Sequence, residues 1–146
     1  MRVAIQSAPF DIGHETAAFA QAAAGAGAVV TFTGIVRDLA GGLTAMEIEH
    51  YPAMTERAIR DITLQAVSRW ELIDALVIHR HGTLRVGEPI MMVATAAAHR
   101  GSAFAAADFL MDYLKSRAPF WKKEITASGG AWVAATDQDE AALSRW

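Results

Sequence analysis

The chain has 146 residues, 53% of them hydrophobic and 20% charged, with a formal net charge of -3. That balance excludes a disordered chain and carries no basic footprint for nucleic acid. There is no cysteine, which excludes a disulfide framework, a thiolate metal site, a cysteine nucleophile and any persulfide carried on this chain.

One domain is expected at this length, burying roughly 70% of the unfolded surface. No secretory leader is expected, because Asp11, His14 and Glu15 interrupt the apolar run before Ala17 and only Arg2 is basic ahead of it. The apolar stretches fall short of the roughly 18 residues that suggest a membrane span. A cytoplasmic protein with no membrane partner is the expectation.

In chain order, Val3 to Ser7 reads as a short strand closed by Pro9, and Ile12 to Ala24 as an Ala-rich helix ended by Gly25 and Gly27. Ala28 to Val36 is β-branched and nearly all apolar, so it reads as a buried strand. Gly34 within it suggests a bulge or a close backbone approach. Asp38 to Gly42 is a turn, and Leu43 to Tyr51 a second strand with Met46 and Ile48 on one face, so the two strands predict a hairpin. Pro52 opens a helix to about Trp70, in which Met54, Ala58, Ile62 and Ala66 form an apolar stripe that Ile59 and Val67 widen. Ala75 to Arg80 is a strand, His81 to Pro89 a loop, and Ile90 to Ala98 another apolar strand. Ser102 is the expected N-cap of a helix to about Arg117, which Pro119 ends. Phe120 to Thr126 and Trp132 to Ala134 read as strands around Gly129-Gly130, and a short helix closes the chain. The mixed order gives an α+β class.

Basic residues stand at the ends of apolar elements in three places. They are Arg37 after the buried strand, His99-Arg100 between a strand and a helix start, and the run from Lys115 to Glu124. A helix N-terminus suits an anion, so His99 and Arg100, joined by Arg37, Lys115 and Lys122, would form a pocket for a phosphate. The plain alternative is a capped helix with a solvated Arg100. Lys115 shares a helix face with Asp112 and Asp108, so a surface ion pair explains it as well as a catalytic lysine does. Lys122 and Lys123 alternate on a strand, so only one of them faces a given site, and the pattern leaves the choice open. His79 and His81 share a strand face, but a zinc site needs three or four ligands. No metal is expected. His50 reads as structural, and Asp137, Asp139 and Glu140 as the start of a helix. No P-loop or dinucleotide fingerprint is present, and no cofactor is expected.

Taken together, several motifs resemble the large subunit of molybdopterin synthase. They are Gly27 to Arg37 (Gly-Ala-Val-Val-Thr-Phe-Thr-Gly-Ile-Val-Arg), Glu49-His50-Tyr51-Pro52, His79-Arg80 with Gly82 and Gly87-Glu88, Ala98-His99-Arg100, and Asp112 to Glu124 (Asp-Tyr-Leu-Lys-Ser-Arg-Ala-Pro-Phe-Trp-Lys-Lys-Glu). The resemblance runs in order from about residue 3 to Trp146, and its last motif is the most specific. It implies an α+β hammerhead, a two-layer α/β sandwich with a β-rich subdomain. It implies a homodimer at the centre of a heterotetramer, with a ubiquitin-like small subunit at each end. The Gly-Gly C-terminus of that partner, carried as a thiocarboxylate, enters a pocket on this chain. Cyclic pyranopterin monophosphate then receives two sulfurs and becomes molybdopterin.

By the same resemblance, Lys115 corresponds to the family's essential lysine and Lys122 to a second catalytic lysine, which favours Lys122 over Lys123. Arg37, His99 and Arg100 correspond to substrate-binding residues, and Lys123 and Glu124 border them. Ile35 and Thr136 stand where some relatives carry a lysine and an arginine. The competing reading is a non-catalytic docking module for the ubiquitin-like carrier.

Overall fold

A computed structural model describes residues 1–146. Its elements are β1 (Arg2–Gln6), α1 (Ile12–Ala22), β2 (Ala28–Ile35), β3 (Leu43–His50), α2 (Pro52–Arg69), β4 (Asp74–Arg80), β5 (Gly82–Arg85), β6 (Pro89–Ala97), α3 (Arg100–Ser116), β7 (Phe120–Thr126), β8 (Gly129–Val133) and α4 (Asp137–Leu143). They build two four-stranded sheets, ordered β1-β4-β6-β2 and β5-β3-β7-β8. Only the β1–β4 pair is parallel. No helix is long and apolar enough to cross a membrane.

The two central strands of the first sheet, β4 and β6, are buried on both faces, which explains why they read as continuous apolar runs. Ala75, Val77 and Val93 pack toward α2 and α3, with Ile59, Ala66, Ala106 and Leu110. Their strand neighbours Leu76, Ile78, Met92 and Ala94 point the other way and pack under Phe19 and Ala23 at α1. The second sheet joins the larger core through Ile48 and Leu84.

The α+β class holds, and so do the strand–helix assignments of the long elements. Gly34 marks the expected irregularity, since the β2–β6 register shifts between Gly34 and Ile35. Asp38 organises the expected turn by accepting from the Gly41 and Leu43 amides at 2.9 and 3.0 Å.

Four expectations need correction. β2 and β3 are not a hairpin: β2 pairs with β6 and β3 with β5 and β7, in different sheets. Each strand buries more by joining a larger sheet than by pairing with its sequence neighbour. The expected loop at His81 to Pro89 contains β5, whose Leu84 is fully buried. Four residues, the first of them a glycine, are too few to show a period. Ser102 is not the N-cap of α3, because the helix already begins at Arg100 with His99 at the cap. On α2 the buried stripe is Thr55, Ile59, Ile62 and Ala66, while Met54 is exposed.

Candidate active site

Where the two sheets meet the end of α3, a cavity of about 350 Å³ opens. Its charged lining comes from distant stretches of chain: Arg37 after β2, Lys115 in the last turn of α3, Lys122 and Glu124 on β7, and Asp139 on α4. Apolar walls are supplied by Ile35, Met46, Ile90, Leu114 and Phe120.

Strand alternation now settles which lysine faces in. Lys122 lines the cavity with Phe120 and Glu124, two residues to either side on the same face of β7. Lys123 does not line it. Its ammonium lies 5.4 Å from the Trp132 ring centroid, on the other face. Burial, and then the charge of Lys115, hold the Lys122 ammonium below the ordinary lysine range, while Asp139 acts in the opposite direction. A less basic amine in a cleft gives up its proton more readily than a free one.

Lys115 is exposed and makes no ion pair. The carboxylates on its helix face are taken by a residue far along the chain. Arg145 reaches Asp108 at 3.0 Å and Asp112 at 2.6 Å. The bland reading of Lys115 as half of a local ion pair is thereby removed.

Behind the cavity wall, the His79 ring stacks on Phe120 with centroids 3.7 Å apart. His79 is buried and its Nδ1 lies 2.8 Å from the Arg80 carbonyl oxygen. A carbonyl only accepts, so Nδ1 carries the proton. Burial pushes its pKa down to about 3, against the raising effect of that hydrogen bond. A neutral imidazole therefore backs the wall beside Lys122.

His99 and Arg100 are exposed at the opposite end of α3. Lys115 lies fifteen helical steps beyond Arg100, about 22 Å at 1.5 Å per step. Within one chain they do not join the cavity.

Sequence reasoning missed the contribution of the C-terminal segment. Ala134, Ala135, Thr136 and Asp139 line the cavity. Thr136 caps α4 and Asp139 completes the capping box, so Asp139 does start a helix as expected and also faces Lys122. The Thr-x-x-Asp spacing signals the cap but not the wall.

A family model described as MoaE protein matches residues 5–117. The chain is 72% identical over its full length, and that of the relative, to a molybdopterin synthase catalytic subunit from Cereibacter sphaeroides. Among solved structures it is similar to a molybdopterin biosynthesis MoaE protein from Burkholderia ambifaria. There the TM-score is 0.84 and the identity 49%, covering 99% of this chain and 96% of that one. A molybdopterin synthase structure from Staphylococcus aureus aligns with a TM-score of 0.80 and 28% identity, covering 90% of this chain and 96% of that one. On the whole-chain match to these relatives, in sequence and in fold, this chain belongs to the MoaE protein family.

Proposed function

We propose that this chain, acting as one domain, is the catalytic subunit of a cytoplasmic molybdopterin synthase. It converts cyclic pyranopterin monophosphate to molybdopterin with two sulfurs from a ubiquitin-like small subunit. The observation that carries this reading is the cavity that collects Arg37, Lys115 and Lys122 from three separate stretches of chain. Its volume falls in the range of small-molecule sites, about 300–1,000 Å³. Three cations around an apolar-walled space suit a phosphorylated ring, and a chain without cysteine needs an outside source of sulfur.

In this reading Arg37 holds the phosphate, for which its planar fork is suited. The thiocarboxylate sulfur of the partner's C-terminus attacks a substrate carbon, forming a C–S bond as that carbon's C–O bond breaks and the oxygen leaves with a proton. Water then cleaves the bond between that sulfur and the partner's acyl carbon, releasing the spent end as a carboxylate. Lys115 stabilises the oxyanion that develops on the acyl group, and Lys122 handles the protons. Glu124 and Asp139 temper the positive field.

His99 and Arg100 enter through a homodimer. β2 is an edge strand, and Val29, Phe32 and Ile35 along it are exposed, with Phe104 of α3 beside them. An unpaired apolar edge invites pairing. A twofold pairing of β2 with its copy is antiparallel, so the start of one strand meets the end of the other. Ala28 pairs with Ala97, two residues before His99. That arrangement brings the partner's His99 and the partner's Arg100 toward Arg37.

The test mixes the chain with thiocarboxylated small subunit and cyclic pyranopterin monophosphate. Dithiolene formation is expected with the wild-type chain and not with Lys115→Ala. Near-normal formation by that variant refutes the assignment. Unchanged turnover at saturating partner, with weaker docking, indicates a docking module instead.

A further inference from the structure

Arg37 belongs to no strand or helix, and its side chain is exposed without an ion pair or hydrogen bond of its own. Its placement is therefore set by the backbone that precedes it. That backbone is held in an unusual way. The β2–β6 ladder slips at Gly34 and Ile35, and beyond the slip the turn between β5 and β6 takes over. The Val36 amide donates to the Glu88 carbonyl at 3.0 Å, and the Val36 carbonyl accepts from the Gly87 amide at 2.8 Å. Both polar groups of Val36, a fully buried residue, are thus gripped by one turn.

The turn is built to hold its shape. The Glu88 amide donates to the Arg85 carbonyl at 3.1 Å, and the Glu88 carboxylate accepts from the Arg85 amide. Gly87 sits at a φ of 89°, a conformation costly for other residues. Beneath it lies Arg80, 5% exposed at the end of β4. The Arg80 guanidinium approaches the second Glu88 carboxylate oxygen at 3.6 Å and donates to the Pro89 carbonyl at 3.3 Å. Its other side donates to the Ser7 carbonyl at 3.2 and 3.0 Å, tying the turn to the exit of β1. A buried guanidinium with one carboxylate partner loses much when that partner is neutralised.

We infer that the Arg80–Glu88 ion pair is a positioning device for the candidate active site: it fixes the turn that grips Val36 and so aims Arg37 into the cavity. The inference rests on the proposed role of Arg37 in holding the phosphorylated substrate. Neither Arg80 nor Glu88 lines the cavity, so both act through another residue. A group that holds the phosphate equally in the ground and transition states contributes uniform binding, so displacing it raises KM with little change in kcat.

The experiment is steady-state kinetics of the complete complex with thiocarboxylated small subunit, comparing wild type, Glu88→Gln, Arg37→Ala and the double variant. Glu88→Gln is expected to raise KM for the phosphorylated pterin about tenfold, a loss of about 1.4 kcal/mol, with kcat nearly unchanged. In the Arg37→Ala background the same change is expected to add nothing, because the residue it positions is gone. Arg80→Lys, which keeps the charge and loses the fork, is expected to behave in the same way if Glu88→Gln proves unstable. Multiplicative effects of Glu88→Gln and Arg37→Ala, or a Glu88→Gln enzyme equal to wild type, overturn the inference while leaving Arg37 its role. A wild-type KM for Arg37→Ala overturns the role of Arg37 itself, and the inference with it.

Discussion

Lys115 and Lys122 line one cavity from two different elements, and the charge of Lys115 helps hold the Lys122 ammonium below its ordinary range. Two lysines with unlike environments are suited to unlike tasks. Lys115, exposed and unpaired, contributes little to the fold, so Lys115→Ala is expected to shift stability by no more than about 0.5 kcal/mol. The same variant should lose activity by about 100- to 10,000-fold. Thermal melting and single-turnover sulfur transfer check the two halves, and a large fall in Tm would contradict the first.

Lys122 makes the opposite prediction about stability. Its pKa lies below 10.5 in the folded chain, so the unfolded chain binds the proton more tightly. Stability therefore rises with pH from the folded pKa up to about 10.4 and is lower below it, where the lysine is charged in both states. Lys122→Met removes that cost and is expected to raise Tm at neutral pH while losing activity, the usual trade at a functional position. Melting curves at pH 7 and pH 10 read it out, and the variant's advantage should shrink at the higher pH.

His79 titrates in the same sense but at acid pH. Its pKa is lowered from 6.5 to about 3, chiefly by burial. Between those values the unfolded chain carries the extra proton, so stability is lost as pH falls below 6.5. At about 1.4 kcal/mol per unit, one step from pH 6 to pH 5 is measurable. His79→Phe keeps a ring against Phe120 and is expected to flatten this limb. Denaturant midpoints at pH 7 and pH 5 test it. A pH dependence equal to wild type would show that other groups carry the acid sensitivity.

The C-terminus closes one side of the cavity because it is latched to α3. The Trp146 indole donates to Asp112 at 2.7 Å, and its ring lies 5.7 and 5.6 Å from those of Trp70 and Phe109. Arg69 donates to the Trp146 carbonyl oxygen at 3.1 Å. Trp146→Ala is expected to cost about 1–3 kcal/mol and to speed amide exchange in α4, whose Asp139 faces Lys122. Unchanged exchange across α4 would mean that the capping box holds the helix alone.

Much of the cavity was legible in the amino-acid order. Alternation along β7 stated that only one of Lys122 and Lys123 faces a site, although not which. The separation of Arg100 from Lys115 was also implicit, since helix length follows from residue count. The expectation of a shared pocket left open which of its residues a second copy of the chain supplies. The partner of Asp108 and Asp112 was not legible, because Arg145 lies 37 and 33 residues away from them.

The chain by itself determined its long helices, its buried strands, its turn at Asp38, the helix stop before Pro119 and the chemistry of its charged residues. Those features follow from contacts two to four residues apart, which any stretch carries within itself. Only the tertiary structure decided that β2 and β3 part into different sheets, that a four-residue strand forms at Gly82–Arg85, and that Lys122 and Asp139 face the same cavity as Arg37. Strand partners are chosen by competition for burial across the whole molecule, and no local period records who wins.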